Sequence, residues 1–429
     1  MMGHTQERLR DATTAFGSTL QAADIPPLRL PDVTRPSPAS GRRPGRPGRP
    51  AFGRWLIPLA TAVAVTAILA LVVVVRNMPG RHQHGRLATA ARLTRWPVPG
   101  QPGWSAWSVA GRGRGDLGID TLAASSPASG WVFASDNTGT GRRPVAWQLA
   151  GSAWTPVPFP GRRDESVSAA TAISPSDAWA FTSDNRALHW NGRAWRVISG
   201  FPDRNLSDAS DVAAVSPSDV WLFSGRYPQS GTGHSTWHYN GQAWTRVRAA
   251  SGLETASVVS ARDIWAAGGA TIGHWNGTTW TKVPVTGLLH PRPPSCAATV
   301  TSIYGLSATD AWATGWQDCQ DTGGLAVLLH YAGGRWQRVA RLGDVDPMAI
   351  VPDGHGGLWI QVNPDPQHRG RAALLHFGHG ALHTTAFPLP HQVRLSGAGV
   401  LRGDGTMFAI GERALGRNAT AGFVLRYRP

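Results

Sequence analysis

Ser-Pro-Ser-Asp-Ala-Trp (174–179), followed by His-Trp-Asn-Gly-Arg-Ala-Trp (189–195), returns as Ser-Pro-Ser-Asp-Val-Trp (216–221) with His-Tyr-Asn-Gly-Gln-Ala-Trp (238–244). A third copy reads Asp-Ile-Trp (263–265), then His-Trp-Asn-Gly-Thr-Thr-Trp (274–280). The first aromatic of each unit falls at Trp131, Trp179, Trp221, Trp265, Trp312, Trp359 and Phe408, at intervals of 48, 42, 44, 47, 47 and 49 residues. That period predicts four-stranded propeller blades, seven of them. Within a unit, a small apolar run such as Ala-Ala-Thr-Ala-Ile (169–173) is strand a, the first aromatic lies on strand b, and the second pair flanks a c–d hairpin. The Asn-Gly pairs at 191–192, 240–241 and 276–277 suit tight hairpin turns, because both turn positions take positive φ. Large aromatics at fixed phase are expected between neighbouring sheets, as packing.

The ends of the array predict how the ring closes. Phe-Val-Leu-Arg-Tyr (423–427) reads as a strand c, after which the chain has no strand d. Upstream of the first unit, Gly103-Trp104-Ser105-Ala106-Trp107-Ser108-Val109 reads as an orphan strand d. The N-terminal strand is therefore expected to complete the C-terminal blade and remove its open edge.

Residues 55–75 carry no charge and lie between Arg54 and Arg76. At about 1.5 Å per residue such a run spans a hydrocarbon core of about 30 Å, so a transmembrane signal-anchor is expected over 54–76. The domain reading is a cytoplasmic tail with a possible short helix (1–30), a disordered Arg/Pro/Gly-rich linker (31–53), the anchor (54–76), an extracellular linker (77–100) and the seven-bladed propeller (101–429). Basic residues flank the span almost equally, six Arg in 35–54 and five in 76–95, so they set no orientation. The two cysteines, Cys296 and Cys319, both fall in the repeats. An even pair suits one disulfide in an oxidising compartment, which places the N-terminus in the cytoplasm and the propeller outside the cell.

The formal net charge is +15. Residues 1–96 hold 14 Arg and 4 acids, and the remainder 27 Lys plus Arg and 22 acids, so the excess is concentrated around the apolar run. This fits anionic lipid better than nucleic acid, and no nucleic-acid motif follows residue 96.

The Asp-x-Trp-Ala-x-Gly and His-Trp-Asn-Gly-x-x-Trp units resemble propeller domains of membrane-anchored actinobacterial proteins. They are also loosely similar to kelch, galactose-oxidase-like and sensor-type propellers. The resemblance covers roughly 100–429 and implies fold rather than activity, since one fold hosts many chemistries. Measured against those relatives, the turn at Asn276–Trp280 lacks the Asp of a sialidase-type Asp-box, and the cysteines suit a disulfide better than a copper-site Cys–Tyr pair. Glu165, Glu254 and Glu412 are the only Glu residues outside the tail, and nothing singles out a catalytic carboxylate pair. His376, His379 and His383 have the look of a metal cluster, but His376 repeats the position of His189, His238, His274 and His330, which points to packing. No catalytic residue, metal ligand or cofactor is assigned.

Recognition is expected on the variable b–c loops, which share one face. The candidate ligand-binding residues are Arg142, Arg143, Arg226, Tyr227, Trp316, Asp318, Asp321, His368 and Arg369. The expectation is a membrane-tethered extracellular recognition or sensor module for a protein, glycan or cell-wall ligand. The alternative is an extracellular polysaccharide hydrolase or lyase. A nucleic-acid partner is not expected, and the sequence names no cytoplasmic partner for the tail.

Overall fold

The computed structural model describes residues 92–96, 103–110, 117–136, 142–198, 209–225, 235–289, 296–319, 324–364, 373–385, 393–400, 406–416 and 419–428. The expected tail, Arg/Pro/Gly linker and membrane span lie outside them. Among the described residues no helix is long and apolar enough to cross a membrane.

The described chain is all-β. It opens with β1 (Arg92–Trp96), β2 (Trp104–Ala110), β3 (Leu117–Ser126), β4 (Ser129–Asp136), β5 (Arg143–Ala150) and β6 (Ala153–Val157). Next come β7 (Val167–Ser174), β8 (Asp177–Thr182), β9 (Ala187–Trp190) and β10 (Trp195–Ile198), then β11 (Ala209–Ser216), β12 (Asp219–Ser224), β13 (Thr236–Tyr239) and β14 (Trp244–Arg246). The following group is β15 (Thr255–Ser260), β16 (Asp263–Gly268), β17 (Thr271–Trp275) and β18 (Trp280–Pro284). After it stand β19 (Cys296–Ser307), β20 (Asp310–Cys319), β21 (Leu325–Ala332) and β22 (Arg335–Gly343), and β23 (Val345–Pro352), β24 (Leu358–Pro364), β25 (Ala373–Gly378) and β26 (Ala381–Thr385). The last strands are β27 (Val393–Val400), β28 (Met407–Gly416) and β29 (Ala419–Tyr427).

Strands β7 to β26 form five four-stranded antiparallel sheets, each built from consecutive strands. The remaining nine strands form one sheet by pairing, but the only ladder pair between β3–β6 and the others is the single parallel pair Ala421↔Leu117. On the far side of that pair β27, β28 and β29 continue into β2 and then β1. Each innermost strand touches the next: β3, β7, β11, β15, β19, β23, β27, and β27 touches β3 again. The inner strands therefore close a ring.

Closure follows the expected route. β2 pairs antiparallel with β29, with Trp107 opposite Val424 and Trp104 opposite Tyr427. Trp107 is buried, meets Trp154 edge-on at 6.2 Å, and lies under the Arg426 guanidinium at 5.0 Å. One element differs from expectation. The stretch 77–100, read as a linker, holds β1, which pairs with β2 from Arg92↔Ala110 to Trp96↔Ala106. Leu93 is buried in the adjoining core and Trp96 meets Phe423 at 5.8 Å, so two apolar side chains in five residues suffice to seat a fifth strand on the edge.

The repeated aromatics sit between sheets. Trp131 packs against Trp190 and Trp195 of the next sheet, Trp179 against Tyr239 and Trp244, and Trp221 against Trp275 and Trp280. Trp265 meets Tyr331 and Trp336, Trp312 meets Phe377, and Trp359 meets Tyr427. Edge-on and tilted geometries dominate, as aromatic quadrupoles prefer. The c–d turns depart from the expectation that both Asn and Gly take positive φ: only the glycines do, in turns closed from each Asn N–H to the carbonyl three residues on. Gly192, Gly241 and Gly277 have φ of 83°, 90° and 91°, and each preceding Asn accepts two backbone N–H bonds through Oδ1.

Candidate functional site

In five of the sheets a part-buried triple joins the two middle strands. His189, His238, His274, His330 and His376 each lie opposite the first Trp of their sheet on the neighbouring strand. The imidazole stacks on that indole, most closely for His330 on Trp312 at 3.7 Å and 12°. Its Nε2 donates to an Asp carboxylate at 2.7–2.9 Å: Asp177, Asp219, Asp263, Asp310 and Asp353 respectively. A carboxylate only accepts, so the Nε2 proton is assigned by the pair. The repeat position of His376 thus has a packing role, and in four of the five sheets the missed partner is the Asp two residues before the Trp.

The fifth triple departs from the rule in an instructive way. Where the other sheets have Asp, this one has Gly357, and the carboxylate comes instead from Asp353 in the preceding turn. A Cβ at Gly357 would collide with Asp353 Oδ2. The turn therefore delivers the missing carboxylate and the glycine clears its space. Burial would raise the Asp353 pKa, but His376 and the backbone N–H groups of His355 and Gly357 outweigh it and hold the carboxyl below its ordinary range. At the equivalent of His, β5 has Gln148 and β29 has Arg426. Both reach the next sheet's turn: Gln148 Nε2 donates to Pro175 O at 3.1 Å, and Arg426 Nη1 to Pro127 O at 2.9 Å.

The inner strands enclose a cavity of about 750 Å³ lined by β3, β7, β11, β15, β19 and β23 and the residues beside them. Its wall is mostly small and hydroxylic, with Asp211 and Glu254 among the lining residues. Neighbouring inner strands are tied by side chains that accept from the next strand's backbone: Asp211 from Ala256 N, Ser257 from Gly305 N, and Ser302 from Ile350 N. Asp211 also accepts from Val212 N and Thr255 Oγ1.

The end of the ring where inner strands begin carries the predicted loop-face residues that the structure describes. Arg143 lies opposite Asp136, and Asp136 opposite Leu117. Arg142 donates to Asp120 Oδ1 at 3.0 Å, while Ser135 donates to Asp120 Oδ2 at 2.6 Å. Burial pushes the Asp120 carboxyl above its ordinary value despite Ser135, Arg142 and the Val167 backbone N–H, all of which favour the ion. Close by in sequence, buried Glu165 receives Arg186 Nη1 at 2.7 Å and Arg162 N at 2.5 Å. Trp316 lies on β20 opposite Thr299, packed against the core between β19–β22 and β23–β26 rather than standing free. Asp318 is placed by its backbone opposite Ala297, and Cys296 lies directly opposite Cys319. Arg226, Tyr227, Asp321, His368 and Arg369 lie outside the described residues, so the structure brings Arg142, Arg143, Trp316, Asp318 and the cysteines to one end and is silent on the rest.

No family model and no curated protein matches the chain. Solved structures do. A structure described as YCF48 bound to D1 peptide aligns at a TM-score of 0.52 with 13% identity, covering 79% of this chain and 100% of that one. An oligogalacturonate lyase from Vibrio parahaemolyticus aligns at 0.50 with 5% identity, covering 78% and 97%. Sqt1 of Chaetomium thermophilum bound to the N-terminus of ribosomal protein L10 aligns at 0.48 with 10% identity, covering 73% and 97%. At these identities the likeness speaks of fold alone, and with the ring of four-stranded sheets it makes this chain an all-β protein of propeller architecture.

Proposed function

We propose that the chain is a membrane-tethered extracellular recognition module, a seven-bladed ring whose last blade is β27, β28, β29, β2 and β1. It binds a protein, glycan or cell-wall ligand through the face where the inner strands begin. The observation that carries this reading is the employment of the carboxylates. Asp177, Asp219, Asp263, Asp310 and Asp353 hold histidines, Glu165 holds Arg186, Asp120 holds Arg142, and Asp211 holds the neighbouring strand. Groups so engaged maintain a rigid frame that presents loops, which is how recognition scaffolds work. A likeness to a peptide-bound propeller agrees with a protein ligand.

The second reading, a polysaccharide hydrolase or lyase, draws on Asp211 and Glu254, which line one cavity from successive inner strands. A screen of the protein against glycan, peptidoglycan and peptide arrays, with a parallel assay for reducing ends and unsaturated products, separates the two. Saturable binding without turnover is expected; turnover abolished by Glu254→Gln would replace recognition with catalysis. The proposed Cys296–Cys319 bond belongs to the same face. Directly opposed residues of an antiparallel pair lie about 4.5–5.5 Å apart at Cα, within the roughly 4.4–6.8 Å that a disulfide spans. Thiol labelling before and after reduction is expected to find zero and then two thiols; two at the start would remove the bond.

A further inference from the structure

The outermost strands share a property that ring-building does not require. None of β1, β6, β10, β14, β18, β22 or β26 contains Asp or Glu. Four consecutive sheets instead place Arg196, Arg246, Lys282, then Arg335, Arg338 and Arg341 along their outer edges. β1 adds two more arginines at the seam. All of the six except half-buried Arg338 are exposed. Among the described residues no acidic side chain pairs with any of them, whereas Arg142 and Arg186 elsewhere have carboxylate partners. Arg338 is more telling, because its Nη1 is out of water and has no hydrogen-bond partner. Interleaved with these cations are Val197, Val283 and Val339, exposed at 47%, 48% and 43%, three of the four large apolar side chains standing out among the described residues.

Charges on edge strands discourage sheet-to-sheet aggregation, and either sign serves that purpose. A single sign on every charged outer strand needs another cause. We propose that the outer wall of the ring is a docking surface for an acidic polysaccharide, a chain of sugar rings bearing carboxylate or phosphate groups. The anionic groups meet the arginines, and the C–H faces of the rings lie on the exposed valines. The edges of four successive sheets point in successively different directions around the ring. A flat bilayer meets only neighbouring edges, whereas a linear polymer follows them all. This surface is separate from the loop face, so it stands whether or not the recognition reading above is right.

The test uses the full chain, in detergent, and measures binding to polygalacturonate, with neutral dextran, duplex DNA, poly-glutamate and anionic phosphatidylglycerol vesicles as comparison probes. Binding to polygalacturonate is expected to fall steeply with salt and to exceed binding to each comparison probe. Arg196→Gln, Arg246→Gln, Arg338→Gln and Arg341→Gln combined are expected to weaken it by more than about tenfold and to flatten its salt dependence, since fewer counterions are released. Arg143→Gln on the loop face is expected to leave it unchanged. Should the combined variant fail to fold, by circular dichroism, Arg341→Gln alone and Val339→Ser replace it, each with a loss of severalfold. Equal binding by the variants, or tighter binding to DNA, poly-glutamate or vesicles than to polygalacturonate, overturns the proposal. A loop-face ligand lost in Arg143→Gln, with polygalacturonate binding retained, keeps the two surfaces distinguishable.

Discussion

Replacing Trp107 with Ala removes the side chain that seals the ring. The indole is 3% exposed, in a core shared with Trp147, Phe408 and Val424, edge-on to Trp154 and beneath the Arg426 guanidinium. Truncating a buried Trp costs about 3–5 kcal/mol, and the guanidinium loses an interaction of about 0.5–2 kcal/mol that is partly included in that figure. Arg426 keeps its bonds to Pro127 O and Gly151 O, so its charge is not stranded. Larger domains shift by about 2–4 °C per kcal/mol, which puts the loss in Tm on the order of 10 °C. Differential scanning fluorimetry and urea melts of wild type, Trp107→Ala and Trp107→Phe measure it, with Phe expected to lose less than half as much. A Trp107→Ala protein melting within 2 °C or so of wild type would refute the argument that β2 locks the last sheet.

Three further outcomes follow from single groups. Asp353→Ala is expected to lose about 1–3 kcal/mol in a urea melt by stranding His376 and two backbone N–H groups, and an unchanged melt would show that the turn carboxylate holds neither. Because the folded pKa of Asp353 is depressed, its contribution is present above the unfolded value near 3.8 and fades as pH falls through the folded one, so the wild-type and Asp353→Ala melting curves should converge in acid. Asp120 has the opposite sign: its folded pKa is raised, stability is lost as pH climbs from 3.8 through that value, and Asp120→Asn is expected to melt no lower than wild type at pH 7; a large drop would show that the Arg142 pair outweighs burial. Gln361 is buried with neither amide atom partnered, at the place where other sheets put Phe181 and Phe223, so Gln361→Leu is expected to raise stability by about 1–3 kcal/mol; a lower Tm in a thermal melt would mean that the amide is satisfied.

The architecture was legible because its signal is periodic. Seven aromatics at near-constant spacing, three Asn-Gly hairpins, an orphan strand ahead of the first unit and a last unit lacking its fourth strand carried the sheets and their closure. The Asp–His–Trp triples were half legible. Histidine recurred at fixed phase, but its carboxylate lies 11 to 23 residues earlier and is linked only by strand pairing. The turn-borne carboxylate of Asp353 was not legible at all, since Gly357 simply breaks the repeat. β1 was missed because five residues with one buried and one half-buried side chain look like any polar linker. Of the loop face, sequence placed Arg142 among exposed ligand contacts, whereas the fold gives it a buried carboxylate; Trp316 likewise reads as a free aromatic and is packed into a core.

The pairing of β2 with β29 also dictates an order of events during synthesis. Ser108 Oγ donates to Gly422 O across 314 positions of chain, so β2 waits for a partner strand made long after it. Until then β2 has only β1 beside it, and the edge that β29 will cover must be kept from other chains. The last sheet is therefore complete only when β29 is in place, and that nine-residue strand decides whether the sheets made before it close into a ring.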